Sequence, residues 1–528
     1  MSTALLPAGT PASKAFHSEL ADRQTNRLFL LILALHTLLW VLVPIWTQPN
    51  APLDALEMLI WGHEWQLGYY KHPPLPAWLA EAASQLCGNT VWPTYLLSQL
   101  STAACFWAVF RIGREAVGNR AALLAVLLLQ GCYYYNFTTP EFNNNVTSRG
   151  FCALAVLFLH QGLTKRRAFY WALSGLALGL GMLSKYDTAI FALAMVSFAV
   201  WHPQGRAAWR TPGPYVLLAT SLICFLPHLY WLVTNDYPTI HYFLRRSSHE
   251  SHWWTRLVNP LKFSVSQLGA VVPVLLLATP LTGWRWRRAQ ATESDSSFHR
   301  EFLLWFGLVP FVLVLIAGLL TGAQIRSMWG TALWTFTGLA VLSNVRINLS
   351  LVNARRVSRM CTSLGVLFVV ALIVRNTVVP GIREKGSRVH FPGQALAEKA
   401  RAVYLNEVGA EPRVIGGPWW EAANVAMYSG QRAQVYMDLD QTKAPWMSDK
   451  AFKEAGGVII WEETSANSNY ADELASRFPA ARVQSPITVN WDNSAALKPL
   501  RFQVAVVNPE LAESKTRHAS RVHLGRMR

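Results

Sequence analysis

A polytopic α-helical membrane protein of about eleven transmembrane helices, ending in an extracytoplasmic α/β domain, is the fold class this sequence predicts. Three observations lead there. Only 15% of the 528 residues are charged while 52% are hydrophobic, and the mean hydropathy is +0.21; soluble domains carry about 25% charged residues. Eleven stretches lack Asp, Glu, Lys and Arg and are long enough, or nearly so, to cross a bilayer. Between them, the basic residues fall in every second connection, as cytoplasmic loops require.

In chain order the stretches are Leu28–Trp46, Thr90–Phe110, Ala121–Phe137, Gly150–Leu163, Ala168–Ser184, Thr188–Trp201, Pro214–Thr234, Phe263–Trp284, Phe302–Gln324, Ser327–Asn344 and Cys361–Val374. A span needs roughly 20 apolar residues, so the shortest borrow flanking polar positions and one or two read as re-entrant. Leu28–Trp46 is followed by Thr47-Gln48-Pro49, with no small-residue cleavage pattern, and reads as a retained helix rather than a signal peptide. With Lys14, Arg23 and Arg27 cytoplasmic in a segment 1–27, the basic loops fall in register: Arg111/Arg114/Arg120, Lys165–Arg167, Arg206/Arg210, Arg285/Arg287/Arg288 and Arg346/Arg355/Arg356/Arg359. The transmembrane region then covers 28–384. The net charge of +17 is accounted for by these loops, and nucleic acid is not an expected partner. Cys87, Cys105, Cys132, Cys152, Cys224 and Cys361 lie in or beside apolar runs without metal-ligand spacing, which argues against a disulfide framework or a zinc site.

After about residue 385 the texture changes. Polar helical stretches (Ala395–Val408, Trp420–Tyr428, Tyr470–Phe478) alternate with β-like runs (Arg413–Ile415, Gly457–Trp461, Leu500–Val507), predicting a small α/β domain over 385–510. With eleven crossings and an internal N-terminus this domain is periplasmic. A loose basic tail is expected over 511–528.

Chemistry concentrates in the first external loop, which carries Asp54, Glu57, Trp61, Glu64 and the turn Tyr69-Tyr70-Lys71-His72-Pro73-Pro74. If residues 53–65 are helical, Asp54, Glu57, Trp61 and Glu64 share one arc. Three carboxylates beside an indole at a membrane surface are costly to keep ionised together, so at least one pKa should rise, which suits a general base. A solvated acidic face on an interfacial helix is the plainer reading. The turn tips the balance: two prolines stiffen its backbone and hold Lys71 and His72 near the headgroup plane, where a cation can take a lipid phosphate.

Asp54, Glu57 and Tyr69–Pro74 resemble the first periplasmic loop of the polyprenyl-phosphate-sugar-dependent glycosyltransferases of GT-C type, and with Thr139-Pro140-Glu141 and Leu183-Ser184-Lys185-Tyr186 the resemblance touches roughly the first 190 residues of this chain. That group includes the protein O-mannosyltransferases and the aminoarabinose transferase acting on lipid A. The resemblance implies that Asp54 is the catalytic base, with Glu57 the second acid of the pattern, three residues on rather than adjacent. It also implies that Glu141 is the acid opposite Asp54, and that His72 and Lys71, beside Tyr70, meet the carrier phosphate. The expected activity is transfer of a sugar from a polyprenyl-phosphate donor to a hydroxyl of a lipid, glycan or protein acceptor, inverting the anomeric carbon, at the bacterial inner membrane. A sugar on a lipid phosphate carries an activated leaving group, so a base, cations and water exclusion suffice. No cofactor is expected, although the carboxylates would also accept Mg²⁺ or Mn²⁺.

Further candidates each have a plain structural alternative. Lys185, with Asp187, is a phosphate contact or a snorkelling turn. Arg245 and Arg246 break the charge rule in a loop predicted external, and could clamp a phosphate, beside an aromatic belt at Trp253-Trp254 and the pair His249/His252, for which a structural role is favoured. Arg326 is a headgroup contact or an interfacial anchor. Asn143, Asn144, Asn145 and Arg149 could orient sugar hydroxyls, but helix capping is the better reading of the asparagines. Trp419, Trp420, Glu421, Asp438 and Asp440 could meet a carbohydrate acceptor, against ordinary core packing for the tryptophans. A flippase for lipid-linked sugars is the alternative function. It calls for two related halves and mid-depth charges, and neither is evident in the sequence.

Overall fold

A computed structural model describes residues 11–247, 252–289, 294–382, 386–464, 470–492 and 497–510. The expected basic tail 511–528, the first ten residues of the expected cytoplasmic segment and His249 lie outside the described residues. Two compact units emerge. One comprises Met1–Val43, Tyr95–Pro140 and Asn144–Ala371, and the other Pro44–Thr94, Glu141–Asn143 and Leu372–Arg528.

The chain is a multi-pass membrane protein. Among the described residues seven helices are long and apolar enough to cross a bilayer: Asp22–Thr47, Pro93–Ala116, Asn144–Lys165, Gly213–Thr234, Thr255–Thr282, Ser297–Thr321 and Leu351–Thr377. The other four of the eleven expected stretches take different forms. Ala168–Ser184 and Thr188–Trp201 are shorter apolar helices. The run Ala121–Phe137 is helical only to Leu128 and then coils into two 3₁₀ turns, Leu129–Gly131 and Tyr133–Tyr135. There the Asn136 side-chain amide donates to the Gln130 carbonyl at 3.0 Å, satisfying a backbone group that the turns leave open. Ser327–Asn344 opens as a 3₁₀ turn and becomes an α-helix only at Thr337–Asn344. Gln267 bridges this break, donating to the Ser327 carbonyl at 3.0 Å and accepting from Trp334 Nε1 at 3.0 Å. Irregular backbone is tolerated at membrane depth only where protein groups satisfy it, and these side chains do so.

Within the first unit a continuous core runs through Phe106, Leu128, Tyr135, Val156, Phe198, Phe263, Phe302 and Leu339. The span Gly213–Thr234 turns large apolar side chains outward, with Ile223 70% and Tyr230 67% exposed, as a lipid-facing helix must. Its other side packs closely on Ala168–Ser184. A Cβ at Gly175 would stand 2.2 Å from the Leu217 carbonyl oxygen, and one at Gly179 would stand 2.9 Å from that of Ser221. Two glycines four apart therefore let the backbones meet, the close-approach device of membrane helices.

The second unit carries a mixed sheet in the order β2-β1-β3-β6-β4, with β5 also on β6: β1 Val414–Gly417, β2 Gln434–Met437, β3 Gly457–Glu462, β4 Arg482–Val483, β5 Ile487–Val489 and β6 Leu500–Val507. β1 pairs in parallel with β2 and β3, while β6 runs antiparallel to β3, β4 and β5. β1 and β3 are buried almost throughout, as apolar runs in the middle of a parallel arrangement should be. The helices Gly393–Val408, Trp419–Tyr428 and Tyr470–Arg477 fall on the predicted stretches. Strand β2 and the helix Asp449–Ala455 had no counterpart in the sequence reading.

Candidate active site in the second unit

The first loop folds as a helix hairpin. Pro52 sits extended before the helix Leu53–His63, which buries Leu56, Met58, Leu59, Ile60 and Trp61. The helix Leu75–Leu86, with Pro76 in its first turn, packs against it. Gly62 makes this contact possible, because a Cβ there would lie 2.2 Å from the Ala77 carbonyl oxygen. Between the helices the turn is closed by Tyr69 N–H donating to the His72 carbonyl at 3.1 Å and by Trp78 Nε1 donating to the Gln66 carbonyl at 2.8 Å. Trp61 and Tyr69 stack at 5.1 Å with planes 9° apart, fixing the turn to the helix.

Asp54 stands in the first turn of this helix. Its backbone N–H donates to Glu141 Oε1 at 3.2 Å, and Asn143 Nδ2 donates to Asp54 Oδ2 at 3.1 Å. Asp54 and Glu141, 87 positions apart in sequence, are thus brought together, and Glu141 also satisfies one of the open N–H groups of the helix terminus. Burial raises the Glu141 carboxyl above its ordinary range, and the neighbouring Asp54 charge adds to the rise against the pull of Arg388 and Arg375. A carboxyl that feels a neighbouring carboxylate charge in this way takes up a proton more readily.

Glu57, one turn on, is buried and paired with Lys71 Nζ. The ammonium lies 5.2 Å from the Tyr70 ring centroid, 5.6 Å from that of Trp419 and 5.7 Å from that of Trp61. Burial works against the Lys71 charge, but Glu57 and Tyr70 outweigh it and hold the amine above its ordinary value. Lys71 is therefore a firmly charged cation in an aromatic box, its charge already shared with Glu57. His72 tilts over Trp61 at 6.4 Å.

Glu64 caps the helix and accepts from Gln434 Nε2 at 2.9 Å. Glu64 carries a rise of the expected kind: burial lifts it to about 7 against His63 and Gln434. Beside it Glu81, fully buried, meets Arg432 at 2.6 Å and His63 at 3.4 Å. Burial pushes the Glu81 carboxyl up, yet His63 and Arg432 together bring it below its usual value. The Glu81–Arg432 pair beside Glu64 escaped the sequence reading. Its one visible sign is a lone acid on the Ala77/Ser84 side of a short apolar helix.

Trp419 N–H donates to Asp438 Oδ1 at 2.8 Å and Lys443 pairs with Asp438 Oδ2 at 2.7 Å, so this strand-end loop braces one wall of the Lys71 box. Trp420 packs edge-on against Phe391, and Asp440 accepts from Thr442. Glu421 is lifted to about 7, chiefly by burial.

The remaining candidates lie in the first unit. Lys185 is buried and holds Asp187 Oδ2 at 2.6 Å and Asn145 Oδ1 at 2.8 Å, with the Trp329 ring at 5.3 Å. Arg245 and Arg246 end the helix Pro238–Ser247, exposed, and Arg246 donates to the Tyr242 hydroxyl at 2.7 Å. Arg326 is half-buried and opens the 3₁₀ turn Ser327–Gly330. His252 stacks on Trp254. Arg149 is fully buried, donating to the Tyr134 carbonyl and to Thr102 Oγ1, so it braces the helix bundle. Asn144 donates to the Ser184 carbonyl at 2.9 Å, tying two helices together. Among the described residues no group of three or more His, Cys, Asp or Glu is placed to hold a metal ion.

A sequence profile of the dolichyl-phosphate-mannose-protein mannosyltransferase family matches residues 71–231. The lipid A galacturonosyltransferase RgtD of Rhizobium johnstonii is 26% identical over 298 residues, covering 55% of this chain and 59% of the relative. An undecaprenyl phosphate-alpha-4-amino-4-deoxy-L-arabinose arabinosyl transferase of Pseudomonas fluorescens is 26% identical over 283 residues, covering 48% and 46%. The chain therefore spans about half the length of the curated relatives it matches. In fold it is similar to ArnT from Cupriavidus metallidurans bound to undecaprenyl phosphate, with a TM-score of 0.59 at 13% identity over 92% of this chain and 98% of that one. Over part of its length the chain is thus similar in sequence to glycosyltransferases that use polyprenyl-phosphate-linked sugars, and in fold it is similar to ArnT.

Proposed function

We propose that this protein transfers a sugar from a polyprenyl-phosphate donor to a hydroxyl of a lipid acceptor on the periplasmic side of the bacterial inner membrane. Its N-terminus is then cytoplasmic and the 385–510 region periplasmic. The observation that carries the reading is Asp54 in the first turn of a braced helix hairpin, its carboxylate held by Asn143 and its backbone N–H by the Glu141 carboxyl. The galacturonosyl and aminoarabinosyl transferases among the relatives support the donor and acceptor classes.

In this mechanism Asp54 takes the proton of the acceptor hydroxyl. The acceptor oxygen attacks the anomeric carbon, and the bond from that carbon to the phosphate oxygen breaks, its electron pair leaving on the phosphate. Attack from the face opposite the leaving group inverts the anomeric centre. Glu141 acts as a positioning residue, keeping Asp54 in place and lending it a second carboxyl to share a proton. Lys71 turns its charge from Glu57 to the departing phosphate, with Tyr70 and His72 in the same turn; Glu57 holds the cation in place before the donor arrives. Lys185, Arg245, Arg246 and Arg326, in the first unit, are proposed as phosphate contacts in their own right.

The test is release of polyprenyl phosphate from a polyprenyl-phosphate sugar by the purified full-length protein in detergent, with and without lipid A. Release that depends on the acceptor, with the sugar recovered on lipid A, is the expected result. Movement of the donor across vesicle bilayers with no sugar transfer would overturn it.

A further inference from the structure

The connection that follows the span Thr255–Thr282 runs antiparallel beside the segment that precedes Leu351–Thr377. Arg288 forms a β-bridge with Val345, Arg346 N–H donates to the Arg287 carbonyl at 2.7 Å, Ala289 N–H to Asn344 at 3.0 Å and Asn348 N–H to Leu281 at 2.8 Å. This ladder sets Arg287 directly across from Arg346. Like charges directly opposite in an antiparallel pair are unfavourable, and this register sets two exposed arginines opposite each other. Together with Arg285, Trp284, Asn348 and Asn353 they line a cavity of about 790 Å³.

Depth adds a second, independent observation. One apolar span ends at Thr282 and another begins at Leu351, so the cavity lies where hydrocarbon gives way to headgroups. Trp284, 81% exposed, and Trp286, 40% exposed, flank it, as aromatic residues do at that level.

We propose that this arginine cavity binds a phosphate-bearing anion, supplied by the headgroup of an anionic phospholipid. Guanidiniums fixed on a backbone ladder suit bidentate contact with phosphate oxygens, and a basic pocket between spans is where an anionic headgroup is held. The bound anion relieves the repulsion between Arg287 and Arg346 and ties the two connections together. The site is separate from the proposed sugar-transfer chemistry.

Native mass spectrometry of the full-length protein in detergent tests this, with phosphatidylglycerol, phosphatidylcholine or inorganic phosphate added. Wild type should retain phosphatidylglycerol and not phosphatidylcholine. The double variant R287Q/R346Q should bind it about 30-fold more weakly, at about 1 kcal/mol per arginine near a membrane surface. R287K/R346K should fall between, and R210Q, in another exposed loop, should match wild type. Competition by millimolar inorganic phosphate would support the anion site and reassign its source to free phosphate. Equal retention by wild type and a folded R287Q/R346Q, or equal loss in R210Q, would overturn the proposal.

Discussion

Breaking the Lys71–Glu57 pair should separate scaffold from chemistry in this loop. The Lys71 side chain is 19% exposed and that of Glu57 8%, so each charge is largely withdrawn from water and balanced by the other. Removing one partner of a buried pair leaves an uncompensated charge, at a cost of about 3–5 kcal/mol. The three ring faces 5.2–5.7 Å from Nζ return part of this to a lone ammonium, at roughly 0.5–1 kcal/mol each. Glu57→Gln should therefore lose about 2–3 kcal/mol and Lys71→Met about 3 kcal/mol or more. Replacing both partners by apolar groups, in K71M/E57L, should cost far less than the sum, with a coupling of about 2 kcal/mol. The assay is unfolding in mixed detergent micelles for the four proteins of the cycle, paired with sugar transfer by each. The double variant should recover stability and remain inactive, because the cation for the departing phosphate is gone. Strict additivity would refute the paired-burial argument, and a stable double variant with wild-type turnover would remove Lys71 from the chemistry.

Other consequences follow from the same hairpin. Asn143→Ala removes the side-chain hydrogen bond to Asp54; kcat should fall about tenfold, equivalent to about 1.4 kcal/mol, with the donor KM little changed in steady-state assays. Gly62→Val drives a side chain into the Ala77 carbonyl, and should destabilise the hairpin by about 2–3 kcal/mol and lower the yield of folded protein on size exclusion. Glu64 has a folded pKa of about 7 against an ordinary 4.5. Its contribution is therefore full below about 4.5 and lost as pH rises through about 7. Unfolding measured across that window should lose stability on going upward, and Glu64→Gln should flatten part of the slope, leaving the share due to Glu421.

Much of this molecule is legible from residue order, for reasons that can be named. The strands Val414–Gly417, Gly457–Glu462 and Leu500–Val507 stand out because short apolar runs between Gly and Pro have few other uses. The meeting of Asp54 and Glu141 is a different case. No local pattern links positions 87 apart, and only the family resemblance set them opposite. Apolar length alone misled at Ala121–Phe137 and Ser327–Asn344, since freedom from charge does not distinguish a spanning helix from a chain coiled inside protein. Arg149 looked available to a sugar because it follows three asparagines, yet one helical turn inward puts it beside Tyr135, with its guanidinium 4.7 Å from that ring. The Glu81–Arg432 pair was invisible for the reason Glu141 would have been: buried ion pairs join distant segments, and periodicity records only which face is apolar.

Acceptor-dependent release of polyprenyl phosphate by Asp54→Asn, in protein shown to be folded, bears most directly on this reading. A neutral, isosteric amide keeps the Asn143 contact region filled but cannot take the acceptor proton, so turnover should drop by about 10²–10⁴ with donor binding retained. Transfer at the wild-type rate would mean that the proton goes elsewhere and that the hairpin is only a scaffold.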